Sequence, residues 1–189
     1  MRLRALGVLL VAWIGLVTVY GVAEDLGLLD DPPAHARPRR AAPPSRAAKT
    51  DIPTSYLRRY RQAVRRCPGL SWTVLAAVGK VESDHGRARL PGVRSGANDA
   101  GAAGPMQFGI GVGRAGDAWA RFGHDFDGDG HTSVYDPGDA IPAAADYLCA
   151  HGAPHRLGQA LYAYNHSWAY VTKVKAIAGR YTAQGGGRR

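Results

Sequence analysis

Glutamate is nearly missing from this chain. Among 15 acidic residues only Glu24 and Glu82 are glutamates, and Glu24 adjoins an apolar N-terminal run. Cysteine is held to two, Cys67 and Cys149, with no CxxC and no HExxH, so a zinc site has little support. No stretch carries the alternation of a convincing sheet, and the fold is expected to be mainly α. Acids are also few against the 24 Lys and Arg, which leaves a formal charge of +9 and a pI near 9.9.

Charge is absent altogether from Ala5 to Ala23, behind Arg2 and Arg4. The run is close to the ~20 residues that span a bilayer and longer than an ordinary signal core. Residues 1–23 therefore read as an uncleaved membrane anchor, with a cleaved signal peptide as the other reading. Arginines before the run and Glu24, Asp25, Asp30 and Asp31 after it favour an outside C-terminus. Residues 24–50 turn to Pro, Ala and Arg, a composition that buries little apolar area and reads as a linker. A folded domain is expected over 51–182, and a disordered Gly/Arg tail over 183–189. Export makes nucleic acid a poor partner despite the basic pI, and it makes the cysteine pair a disulfide in preference to two free thiols.

Helical signals fill the domain. Pro53 suits a first turn, and Tyr56, Leu57, Tyr60 and Val64 repeat at helical spacing up to Cys67-Pro68-Gly69. Ser71 caps a second helix that Gly86 should end, and Asp139 is the expected cap of another running to Gly152. A short helix covers Arg156 to Tyr164. Ser167 caps the last, with Tyr170, Val171, Val174, Ile177, Ala178 and Tyr181 as one stripe. The Gly-rich stretch 91–116 has no assignable element.

Leu75, Val78 and Glu82 fall at i, i+3 and i+7, so Glu82 lies on an apolar stripe, while Lys80 and Asp84 can pair on the far side. Loss of hydration raises a carboxyl pKa, which suits a general acid working near neutral pH. The plainer reading is a solvated or salt-bridged glutamate at a helix end. A second signal runs from Asp125 to Asp136: acids at positions 1, 3, 5 and 12 (Asp125, Asp127, Asp129, Asp136), with glycine at 6. This is the calcium-loop pattern, in which His131 would lend its backbone carbonyl. An Asp/Gly turn without metal is the alternative. Calcium here would be structural.

Glu82-Ser83 closing a helix, then Gly101-Ala102-Ala103-Gly104-Pro105-Met106-Gln107-Phe108, then Ala163-Tyr164-Asn165-His166-Ser167 occur in that order. Together they resemble the lytic transglycosylases with a lysozyme-like domain of the SLT type, which cleave peptidoglycan. The calcium loop running into Asp136-Pro137-Gly138-Asp139-Ala140-Ile141, and Tyr147-Leu148-Cys149-Ala150-His151-Gly152, are similar to the membrane-bound lytic transglycosylase B branch. Family members usually follow Gln-Phe with a Pro-Ser/Thr-Trp-like helix start; this chain has Gly109-Ile110-Gly111-Val112-Gly113-Arg114. The resemblance implies a lysozyme-like helical domain with an EF-hand-like loop. It makes Glu82 the acid/base, Gln107 a groove residue for an N-acetyl sugar, and Tyr164 and Asn165 the groups that orient Glu82 and the sugar. Tyr147 is a further candidate for stacking on sugar. Each also has a structural reading: Gln107 as a cap, Tyr164 as core, Asn165 to Ser167 as a turn.

Ordinary glycosidases use two carboxylates. The family implied here manages with one, which protonates the bond from N-acetylmuramic acid (MurNAc) to N-acetylglucosamine (GlcNAc) and then accepts the proton of the C6 hydroxyl as a 1,6-anhydro ring closes. Two rivals stand beside it. A hydrolytic muramidase would need a base for water, with Asp99 or Asp84 the nearest choices, and a calcium-dependent wall-binding module would not need Glu82.

Overall fold

The computed structural model describes residues 43–182. The apolar run at 1–23, most of the expected linker and the tail at 183–189 lie outside the described residues. Among the described residues no helix is long and apolar enough to cross a membrane.

The chain forms α1 (Arg46–Asp51), α2 (Thr54–Ala63), α3 (Trp72–Ser83), β1 (Ala102–Ala103), β2 (Phe108–Gly109), α4 (Ala118–Phe122), α5 (Pro137–Ala150), α6 (Leu157–Tyr164) and α7 (Trp168–Thr182). Short 3-10 turns at Val64–Arg66 and Gly113–Ala115 complete the order. The expected helices are present. One more, α1, takes up the end of the span expected to be linker and runs one residue into the expected domain. Ser45 caps it by accepting from the Ala48 N–H, Ala48 and Ile52 are buried, and the Ser45 hydroxyl donates to the Arg180 carbonyl on α7. The capping Ser45 and the buried Ala48 and Ile52 suffice for this six-residue helix once α7 supplies the packing surface.

A small sheet also departs from the expectation of none. β1 and β2 are antiparallel, Ala102 opposite Gly109 and Ala103 opposite Phe108. Two residues per strand are too few to show alternation.

The core is organised on α3, whose residues from Trp72 to Gly79 are all buried. A helix apolar on every side belongs in the middle, and α3 is flanked by α7 and α2, with α5 packed on α2. The stripe read on α7 is buried residue for residue. Cys67 and Cys149 form a disulfide with Cα atoms 5.5 Å apart, tying the end of α2 to the end of α5.

Gly79 lets α3 sit close to α2. A Cβ at Gly79 would lie 2.0 Å from the Tyr60 hydroxyl and 3.3 Å from the Met106 sulfur. Tyr60 cannot step aside, because its hydroxyl meets His85 Nδ1 at 3.0 Å in the interior. His85 Nε2 lies 3.2 Å from the Tyr181 hydroxyl, which itself donates to Asp51 Oδ2. With that proton committed to Asp51, the imidazole must carry its hydrogen on Nε2 and accept from Tyr60 on Nδ1. Burial holds His85 down to about 4, so it stays neutral. Asp51 loses hydration too, but its bonds from Lys80 and Tyr181 and the Lys80 charge outweigh that and bring it to about 2. Lys80 also meets Asp84 at 2.7 Å, the pairing expected on the far side of α3.

Candidate active site

Helix α3 ends three residues before the Gly86 stop. Asp84 takes the left-handed conformation (φ 52°), held by Lys80 and Arg87, and His85 and Gly86 follow with positive φ. Asp is among the residues that tolerate this region. The Ser83 hydroxyl fixes the new end: it donates to the Pro105 carbonyl at 2.6 Å and accepts from the Gly86 N–H at 2.7 Å. Glu82 is thereby set, half-buried, at the wall of a cleft of about 440 Å³.

Burial pushes the Glu82 carboxyl up to about 7, against the opposing pull of a hydrogen bond from Tyr170 and the charge of Lys173. The Tyr170 hydroxyl donates to Glu82 Oε1 at 2.6 Å. No other carboxylate lines the cleft among the described residues. Asp84 is engaged with Lys80 and Arg87, and Asp99 is exposed and outside the lining.

Gln107, Tyr147, Tyr164 and Asn165 all line the same cleft as Glu82. Gln107 stands at positive φ (52°), with its side chain donating to the Gly104 carbonyl and accepting from Asn98. Asn98 is pinned in turn by the Ala100 and Ala102 N–H groups. The Tyr164 hydroxyl donates to the Met106 carbonyl at 2.8 Å, so the group bonded to Glu82 is Tyr170 and not Tyr164. Tyr164 fixes the loop that carries Gln107 instead. Tyr147 donates to the Ala163 carbonyl and stacks on His151 at 4.0 Å, so one face of its ring is already occupied. Asn165 is exposed at the end of α6.

After Phe108 a glycine loop closes over β1. The Ala115 N–H meets the Ala100 carbonyl at 2.7 Å, and a Cβ at Gly101 would run into the Val112 carbonyl. This brings Arg114 and Ala115 into the cleft lining.

The acidic loop lies apart from the cleft lining. Asp125 accepts the Gly128, Asp129 and Gly130 N–H groups, which wraps the loop around its carboxylate. The His131 N–H donates to Asp129. Asp136, not Asp139, caps α5, by accepting from Gly138 at 2.6 Å. Pro137 at the first helical position is the sequence sign of that start. Asp139, fully buried, turns back and accepts the Phe126 and Ser133 N–H groups, closing the loop from below. Carboxylate oxygens of Asp125, Asp127 and Asp139, and of Asp127, Asp129 and Asp136, lie within 4.8 Å of one another. The one ion pair to this cluster among the described residues is Arg59 to Asp127 at 3.5 Å. Lost hydration, with the charges of Asp136, Asp129 and Asp139, pushes the Asp127 carboxyl up. A Cβ at Gly138 would lie 2.0 Å from Asp127 Oδ2, so glycine leaves room for that carboxylate over the helix start. An all-oxygen donor set with so little cationic balance fits a hard divalent ion of the calcium type.

Sequence reasoning missed four contributors: Tyr170, Asn98, Arg114 and Asp139. Tyr170 was visible only as a member of the apolar stripe. The usable clue was its phenol, since a tyrosine facing inward needs a hydroxyl partner.

Comparison with solved structures finds the same fold in the Escherichia coli lytic transglycosylase Slt35. The form in complex with bulgecin A gives a TM-score of 0.54 at 16% identity, over 72% of this chain and 76% of that one. The calcium complex of Slt35 gives 0.53 at 16% identity, over 72% and 77%. A 36 kDa muramidase/transglycosylase gives 0.53 at 16% identity, over 72% and 78%. No protein-family profile and no curated protein matches the chain. At this identity the likeness establishes the fold, a lysozyme-like helical one shared with a lytic transglycosylase.

Proposed function

We propose that this protein is a peptidoglycan lytic transglycosylase that cleaves the β-1,4 bond from MurNAc to GlcNAc and leaves a 1,6-anhydroMurNAc end. The observation that carries the reading is Glu82: a carboxyl desolvated to a pKa of about 7, bonded to Tyr170, with no second acid lining its cleft among the described residues.

Such a group is half protonated near neutral pH. As acid it gives its proton to the glycosidic oxygen while the C1–O bond breaks, and the GlcNAc hydroxyl leaves. The substrate's own 2-acetamido oxygen can stabilise the cationic C1. The Glu82 carboxylate then takes the proton of the MurNAc C6 hydroxyl, whose oxygen bonds to C1. Glu82 ends as it began, and no water is consumed. The retained hydrogen bond from Tyr170 holds Oε1 in place in both steps and eases formation of the carboxylate. Gln107, Tyr164, Asn165 and Tyr147 form the walls that position the sugars.

The loop Asp125–Asp136 would hold calcium through Asp125, Asp127, Asp129, Asp136 and the His131 carbonyl, with Asp139 beneath. The ion would brace the start of α5 and take no part in the bond cleavage. This loop and the segments around it keep the B-branch likeness within the proposal. The Cys67–Cys149 disulfide supports a place outside the cytoplasm, held there through residues 1–23 as anchor or delivered by them as signal.

The test is digestion of purified peptidoglycan followed by mass spectrometry of the fragments. Anhydro ends, lighter by one water than reducing ends, are expected from the wild type and should vanish with Glu82→Gln. Reducing MurNAc ends as the main product would support the hydrolytic muramidase instead.

A further inference from the structure

Among the described residues only Leu90, Val112 and Trp168 are large apolar side chains left open to water, and Trp168 is 61% exposed. It occupies the first position of α7, off the buried stripe of that helix. Its indole does not hang free. It stacks on the Tyr162 ring of α6 at 4.8 Å with 28° between planes. Tyr162 in turn meets the edge of His166 at 5.7 Å, and His166 lines the Glu82 cleft. The aromatic pair is therefore continuous with the mouth of the cleft through a shared residue.

The surroundings suit a flat, polar-edged ligand. Gly158 on α6 lies between Trp168 and Lys175: a Cβ there would be 3.9 Å from the indole and 3.4 Å from the ammonium. The missing side chain leaves the ledge low, with a cationic donor at its rim. Exposed aromatic surface joined to a cleft marks a place where a ligand completes the packing. Stacking on Tyr162 sets the indole before binding, so little side-chain freedom is lost when a ligand arrives.

We infer that Trp168 and Tyr162 form an outlying subsite that stacks the apolar face of one further pyranose ring of a glycan strand, with Lys175 reaching its hydroxyl or acetamido oxygens. The inference rests on the glycan-cleaving reading and adds where the strand continues beyond the cleft. A chain that reaches the ledge gains one aromatic contact, worth roughly three- to tenfold in affinity. A chain confined to the cleft gains nothing from it.

The experiment uses the full chain carrying Glu82→Gln, so that nothing is cleaved, titrated calorimetrically with β-1,4-linked GlcNAc oligomers from dimer to hexamer. The hexamer should bind more tightly than the dimer, and adding Trp168→Ala should shrink that advantage by roughly three- to tenfold. Trp168→Tyr should restore part of it. Unfolding curves of each variant establish that the fold is kept. Binding with the length advantage unchanged in Trp168→Ala overturns the subsite and leaves the glycan reading standing. Failure of every oligomer to bind overturns both.

Discussion

The Tyr170 hydroxyl lies 2.6 Å from Glu82 Oε1 and joins the first turn of α7 to the last turn of α3. The bond favours the charged carboxylate, whereas burial favours the neutral acid, and burial wins. Tyr170→Phe removes the weaker of these opposing effects. The alkaline limb of the pH–rate profile, set by loss of the Glu82 proton, is then expected to move to higher pH. The maximal rate should fall roughly ten- to a hundredfold as Glu82 loses its fixed orientation. An alkaline limb that stays in place in Tyr170→Phe would mean that the hydrogen bond does not act on the titrating group.

Glu82 and His85 give opposite slopes of stability against pH. Glu82 titrates near 7 folded and near its ordinary 4.5 unfolded, so the folded state binds more protons in that window and stability falls as pH rises. His85 titrates near 4 folded and 6.5 unfolded, so stability rises with pH over that window. Between pH ~4.5 and ~6.5 the two largely cancel, and above that only the Glu82 decline remains. Denaturant melts should therefore show Glu82→Gln gaining stability up to pH ~6.5 and then holding it. At pH 8 this variant should exceed the wild type by on the order of 1–3 kcal/mol. His85→Gln should show the decline alone. Parallel curves for all three proteins would refute the pairing of slopes.

Gly79→Ala ought to stabilise a helix by up to about 1 kcal/mol on propensity alone. Here the added methyl would meet the Tyr60 hydroxyl, which His85 holds in place. Net destabilisation of roughly 1–3 kcal/mol is expected from equilibrium unfolding. Tyr60→Phe removes the obstructing oxygen, so in a double-mutant cycle it should recover part of that loss. Simple additivity of the two changes would show that the contact is not the cause.

Calcium should raise the melting temperature with concentration if the acidic loop binds it only in the folded state. Asp129→Ala should abolish the effect, and Gly138→Ala should weaken it by displacing Asp127 from over the start of α5. Coincident wild-type melts in millimolar calcium and in chelator would reduce the loop to an Asp/Gly turn.

Helical periodicity and end signals made most of the architecture readable, because α7 announces its buried face through regular spacing and Ser71 and Gly86 bracket the apolar run of α3. It failed at 91–116, where the chain is placed by backbone hydrogen bonds and positive-φ glycines that carry no periodic pattern. The same limit applies within the site. Glu82 stood out because a carboxyl on an apolar stripe is a local contradiction. Tyr170, on another helix, looked like ordinary core until the fold brought the two together. Asp139 shows the converse: its position near a helix start suggested a cap, but three-dimensional packing turned its carboxylate toward the loop instead. Spacing reveals which face a residue occupies, and only the tertiary fold reveals its partner.

In the proposed reaction one carboxyl performs both proton transfers and the substrate's own hydroxyl closes the new bond. Digestion of peptidoglycan in heavy-oxygen water reads this directly at the cleaved MurNAc C1. Anhydro ends with no incorporated label are expected, at a rate that falls above pH ~7 as Glu82 loses its proton. Heavy oxygen at C1 of the primary product would overturn the single-carboxyl reaction, because water would then have attacked C1 in place of the C6 hydroxyl.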